Sequence, residues 1–124
     1  MSSTELKKIR LNLARDAAHP NGSNARGYEF AAPLDTSGHI DAEAWKLFRD
    51  HCRVHRFWDG DSEYGHLMHR PGGSWAFVYD IDGQDDAEAG YRFGAHAFVP
   101  GEYVSIRDAH GELATFVVVT VQSA

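Results

Sequence analysis

Apolar and polar residues alternate along much of this chain, and short breaks interrupt the alternation at fairly regular intervals. In KKIRLNLAR, Ile9, Leu11 and Leu13 fall on one side, with Lys8, Arg10 and Asn12 on the other. Strand side chains repeat every two residues, so this segment predicts a half-buried strand. DAAHPNGSNARG holds Pro20, Gly22, Asn24 and Gly27 and reads as a surface loop. YEFAAPL then puts Tyr28, Phe30, Ala32 and Leu34 on one face. Pro33 has no amide donor, which places that strand at an edge or at its own end.

The pattern changes once. DTSGHIDAEAWKLFRDHC brings Trp45, Phe48 and Cys52 to one helical face, flanked by Ala44 and Leu47. Asp41 suits an N-cap, Glu43 the positive end of the helix dipole, and Ile40 with Trp45 a hydrophobic staple. One short α-helix is therefore predicted over about 41–51.

Strand patterning resumes after it. RVHRFW is ended by DGDSE and EYGHLMH by RPGG. SWAFVYDI alternates Trp75, Phe77, Tyr79 and Ile81 against Ser74, Ala76, Val78 and Asp80. AGYRFGAHAFV predicts one strand, with Tyr91, Phe93, Ala95, Ala97 and Val99 opposed to Arg92, Gly94, His96 and Phe98. Gly94 marks a bulge or bend in it. EYVSIRD and ELATFVVVTV form a last pair, joined by AHG. The fold expected is mostly β: a small antiparallel β-barrel or two-sheet sandwich of about seven or eight strands, with one short helix.

Composition narrows the setting. A chain of 124 residues, 43% hydrophobic and 24% charged, suits a single domain over 1–124, with residues 1–4 expected to be disordered. The formal net charge is −6. Phosphate binding needs basic excess, so no nucleic-acid partner is expected. The single cysteine removes any need for an oxidising compartment. MSSTELKKIR lacks an apolar stretch of signal-peptide length, and ATFVVVTV is far shorter than the ~20 residues of a membrane helix. A cytoplasmic protein without a membrane partner, monomeric or homodimeric, is expected.

The densest candidate chemistry is HCRVHRFWDGDSEYGHLMHR, with His51, His55, His66, His69 and Cys52. On a helix, His51 and His55 would share a face, but the helical pattern fades at Cys52. On a strand, His66 and His69 point to opposite faces. A metal site would therefore have to combine His55, His69 and His96 from separate segments, with zinc, nickel or copper as the suited ions. Without that site, no cofactor is expected. Cys52 reads as a small buried apolar residue, since a nucleophile would need a base beside it.

The acidic stretches DGDSE and DIDGQDDAE read as solvated hairpin loops. The second lacks the twelve-residue register of a calcium loop. GYRFGAHAFVPGEYVSI resembles one half of the cupin pattern, with Gly90, His96, Pro100, Gly101 and Glu102 in place. Phe98 stands where that pattern has a second histidine, and no second motif follows. PGEYVSI is similar to a segment of flavin-reductase barrels, where it turns into a barrel strand. The Arg-x-Tyr-Ser/Thr flavin signature is missing, so that resemblance implies a small barrel and no flavin.

Trp75, Phe77 and Phe93 read as core, while Tyr91 and Tyr103 carry hydroxyls suited to a rim. The function expected is a small binding or accessory module for a small molecule or protein partner. Its candidate ligand residues are Arg56, His66, Tyr91, Arg92, His96 and Tyr103. The alternative is a metal-binding protein or metal-dependent enzyme built on the strand histidines.

Overall fold

The alternation in the first segment becomes β1 (Glu5–Leu13), with Ile9, Leu11 and Leu13 buried and Lys8 exposed. In this computed structural model, residues 4–79, 87–91, 93–107 and 111–124 are described. β2 (Ser23–Leu34), β3 (Arg53–Trp58), β4 (Asp61–His69), β5 (Trp75–Tyr79), β6 (Ala87–Tyr91), β7 (Tyr103–Arg107) and β8 (Leu113–Ser123) follow. Each strand pairs antiparallel with its sequence neighbours, and β8 returns to pair with β1. The sheet is thus a closed barrel rather than a sandwich, and closure gives each described strand a partner on both sides.

Helix α1 (Ala42–Phe48) lies between β2 and β3 and continues as a 3-10 turn, Arg49–His51. Asp41 caps it, accepting from the Glu43 and Ala44 amides at 3.0 and 3.1 Å. Thr4 donates to the other Asp41 oxygen at 2.8 Å, tying β1 to the helix start. Ile40 and Trp45 are both buried, as the staple requires. The Trp45 indole donates to the Leu67 carbonyl at 3.0 Å, holding the helix across one barrel end.

Phe30, Phe77, Phe93 and Phe98 fill the barrel below the helix, with ring centroids 5.1 to 6.3 Å apart. Each ring buried this way stabilises the fold by about 1.5–3 kcal/mol relative to leaving it exposed.

Three local expectations change. β2 begins at Ser23, inside the stretch read as a loop, because β1 and β2 approach closely at Gly27. A Cβ on Gly27 would stand 1.9 Å from the Leu11 carbonyl oxygen. DGDSE is mostly strand: only Asp59 and Gly60 turn, both at positive φ, and Trp58 pairs directly with Asp61. That is the Asp-Gly signature of a two-residue hairpin.

The third change is the largest. The stretch 89–99 is not one strand. β6 stops at Tyr91, and Phe93–Ala95 forms a 3-10 turn. Phe93 folds back over Gly90, where a Cβ would lie 2.5 Å from its ring. Phe93 and Phe98, expected on opposite faces, are both buried, whereas Val99 is exposed.

Candidate functional site

The barrel has two chemically different ends. At the helix end, Trp45, Trp75 and His69 pack together, with His69 4.3 Å from the Trp75 ring centroid and 6.0 Å from that of Trp45. The opposite end gathers the C-terminal part of β1, the start of β2, the β3–β4 turn and the start of β8. It holds a cavity of about 370 Å³ whose lining includes Leu13, Arg26, Tyr28, Arg56, Trp58, Glu88, Ile106 and Phe116.

The floor of this cavity is a polar cluster inside an apolar barrel. Glu88, on β6, is the one charged side chain among the buried described residues. Its Oε1 accepts from the Tyr28 hydroxyl at 3.0 Å and the Tyr79 hydroxyl at 2.5 Å. The strand periodicity explains the convergence. Tyr28, Tyr79 and Glu88 lie on the inward side of three different strands, and a buried tyrosine needs a partner for its hydroxyl.

Arg56 completes the cluster from β3. Its Nε stands 3.6 Å from the same Glu88 oxygen, an ion contact too long for a hydrogen bond. That oxygen already accepts from both tyrosines, which accounts for the gap: its lone pairs are taken. The Arg56 Nε is buried and has no hydrogen-bond partner. Its carbon lies 4.3 Å from the Trp58 ring centroid. Arg26 approaches the same ring at 5.1 Å and is held by Asp59 at 2.6 Å.

Electrostatics follow from burial. Burial pushes the Glu88 carboxyl above its ordinary value, opposed by the Tyr79 hydrogen bond and the Arg56 charge. Burial likewise pushes the Tyr28 and Tyr79 hydroxyls well above the ordinary tyrosine range, so both remain neutral donors to Glu88.

Of the residues singled out in the sequence, only Arg56 lines this cavity. His66 sits on β4 with its Nε2 2.9 Å from Arg53 Nη1, and Tyr103 is exposed on β7. His96 follows the Phe93–Ala95 turn, its amide donating to the Phe93 carbonyl. Tyr91 ends β6, and Arg92 lies outside the described residues.

His55 and His69, expected to share a metal with His96, have different neighbours. His55 stacks on Tyr64 at 4.6 Å and reaches Ser62 at 2.9 Å, whereas His69 is engaged by the tryptophans. Among the described residues, no group of three or more His, Cys, Asp or Glu is placed to hold a metal ion. Strand parity separates them: His55 alternates with inward-facing Val54 and Arg56. Cys52 is fully buried, and burial pushes its thiol up to about 11, which suits a packed apolar residue.

The sequence reading missed Glu88, Tyr28 and Tyr79 as site residues. Glu88 stands beside an acidic run and was grouped with solvated loop charges. The sequence offered no signal for it, because the alternation of Tyr91 and Phe93 puts Glu88 on the opposite parity, with Arg92.

Comparison with protein-family models, curated proteins and solved structures gave no match for this chain. Among the described residues, no helix is long and apolar enough to cross a membrane.

Proposed function

We propose that the protein is a small binding module whose ligand, a small organic molecule, occupies the cavity opposite α1. One observation carries this reading. Arg56 borders the cavity, and its buried Nε has no hydrogen-bond partner. Unmade hydrogen bonds at a half-buried charged group are costly, and a ligand bringing acceptor atoms to the guanidinium offsets part of that cost. Apolar walls with a few convergent polar groups are the usual make-up of a small-molecule site. A cytoplasmic setting belongs to the same reading, supported by a single cysteine that is buried and unpaired. The metal-dependent alternative has no comparable grouping behind it among the described residues.

Trp58 provides the test. It borders the cavity, whereas Trp45 and Trp75 pack at the other end. A library of small organic compounds is screened by tryptophan fluorescence. Binders are expected to change the emission of the wild type, and the change should disappear in Trp58→Phe. Binders whose signal persists in Trp58→Phe, or a library without binders, would count against the proposal.

A further inference from the structure

The chemistry of the cavity restricts the ligand further. Arg56 offers a planar fork of donors, and that fork matches a carboxylate, which can accept two parallel N–H bonds. Around it stand Leu13, Ile106 and Phe116, apolar walls that suit a compact hydrocarbon or aromatic body. An anion arriving here meets an existing one. Glu88 Oε1 is already 3.6 Å from Arg56 Nε. Two carboxylates sharing one cation in a poorly solvated site cannot both stay ionised at low cost, so one takes a proton.

We infer that the cavity takes a small organic carboxylate on the Arg56 guanidinium, and that Glu88 takes up one proton from solvent as it binds. The inference rests on the binding-module reading of the same cavity. The bound ligand stays ionised on Arg56, and Glu88 becomes the neutral acid among its tyrosines. Glu88 is placed for this by its neighbours. Tyr28 on β2 and Tyr79 on β5 are neutral donors, and Arg56 on β3 is the compensating cation. Glu63 on β4 adds repulsion that favours the proton. Arg15, Asp16, Arg26 and Glu112 line the same cavity, and Arg26 is already paired with Asp59. On β7, Ile106 contributes an apolar wall.

The proton has a thermodynamic consequence. If binding takes up a proton, affinity rises as pH falls, up to tenfold per pH unit, until Glu88 is protonated in the free protein as well.

The test uses the full chain and defined probes: benzoate, phenylacetate and cyclohexanecarboxylate, each beside its carboxamide, with benzamidine and inorganic phosphate as further arms. Isothermal titration in buffers of different ionisation enthalpy reads both affinity and protons taken up. Trp58 emission, checked against Trp58→Phe, reads location. At least one carboxylate is expected to bind at Trp58, about tenfold or more tighter than its amide. Its titration should show proton uptake approaching one. Glu88→Gln should abolish the uptake and tighten binding, and Arg56→Lys should weaken the preference for carboxylate over amide.

Tight binding without proton uptake, or uptake that survives in Glu88→Gln, overturns the role given to Glu88. Amide, benzamidine or phosphate binding at Trp58 as tightly as the carboxylates overturns the ligand class and leaves the cavity as a binding site. If every probe binds elsewhere or not at all, both this inference and the binding-module reading fall.

Discussion

The same strands that enclose an aromatic plug at the helix end enclose a polar cluster at the other. β2 shows the contrast within two residues. Phe30 packs against Phe77, Phe93 and Phe98, whereas Tyr28 spends its hydroxyl on Glu88. β5 repeats it, with Phe77 in the plug and Tyr79 on Glu88. One oxygen atom at each position turns a stabilising filling into the floor of a site. The helix end gains its order from shape and area, and the cavity end from hydrogen bonds that leave one cation undersatisfied. A fold can tolerate the second because the first supplies the bulk of the burial.

That division ranks the expected effects of substitution. Phe77→Ala, at the centre of the plug, should cost about 3–5 kcal/mol in chemical denaturation. Tyr79→Phe removes only the hydroxyl and should cost about 1–3 kcal/mol by leaving Glu88 with one donor fewer. If Tyr79→Phe cost as much as Phe77→Ala, the cavity end would be a structural keystone rather than a site.

Glu88→Gln sharpens the comparison through pH rather than through total stability. The folded-state value of Glu88 is raised above the ordinary 4.5, so the folded state binds more protons than the unfolded state above that pH. Its contribution is fully present below about 4.5 and is lost as pH rises through the raised value. Melting temperature measured against pH should therefore show a downward component above about 4.5 that Glu88→Gln removes. Asp41→Ala, which deletes the cap of α1, should cost about 1 kcal/mol and leave ligand binding at the other end unaltered.

Much of the plug was legible in the sequence, and little of the site. Period-two alternation identified the inward faces of β1, β2 and β5, and the Asp41 cap placed the helix. Those signals are local, set by backbone geometry a few residues at a time. The break at Phe93 was not legible, since it depends on Gly90 leaving room for a ring three residues later. The site was hidden for a related reason. Tyr28, Arg56, Tyr79 and Glu88 come from four strands, and only barrel closure brings them together. Histidines drew attention by density, yet strand parity and stacking partners disperse His55, His66 and His69. Arg56 alone crossed from the sequence reading into the cavity. Alternation puts Tyr28 and Tyr79 on strand faces with apolar neighbours, and it carries no information on which partner their hydroxyls meet.

The proposal stands on a difference between the two ends, one packed with aromatic rings and one proposed to bind a ligand. The three tryptophan indole N–H signals in a ¹⁵N-labelled sample report on both ends at once. During titration with the carboxylate probes, the Trp58 indole signal should move while those of Trp45 and Trp75 stay in place. Movement of the Trp45 or Trp75 signal with Trp58 unchanged would contradict the account.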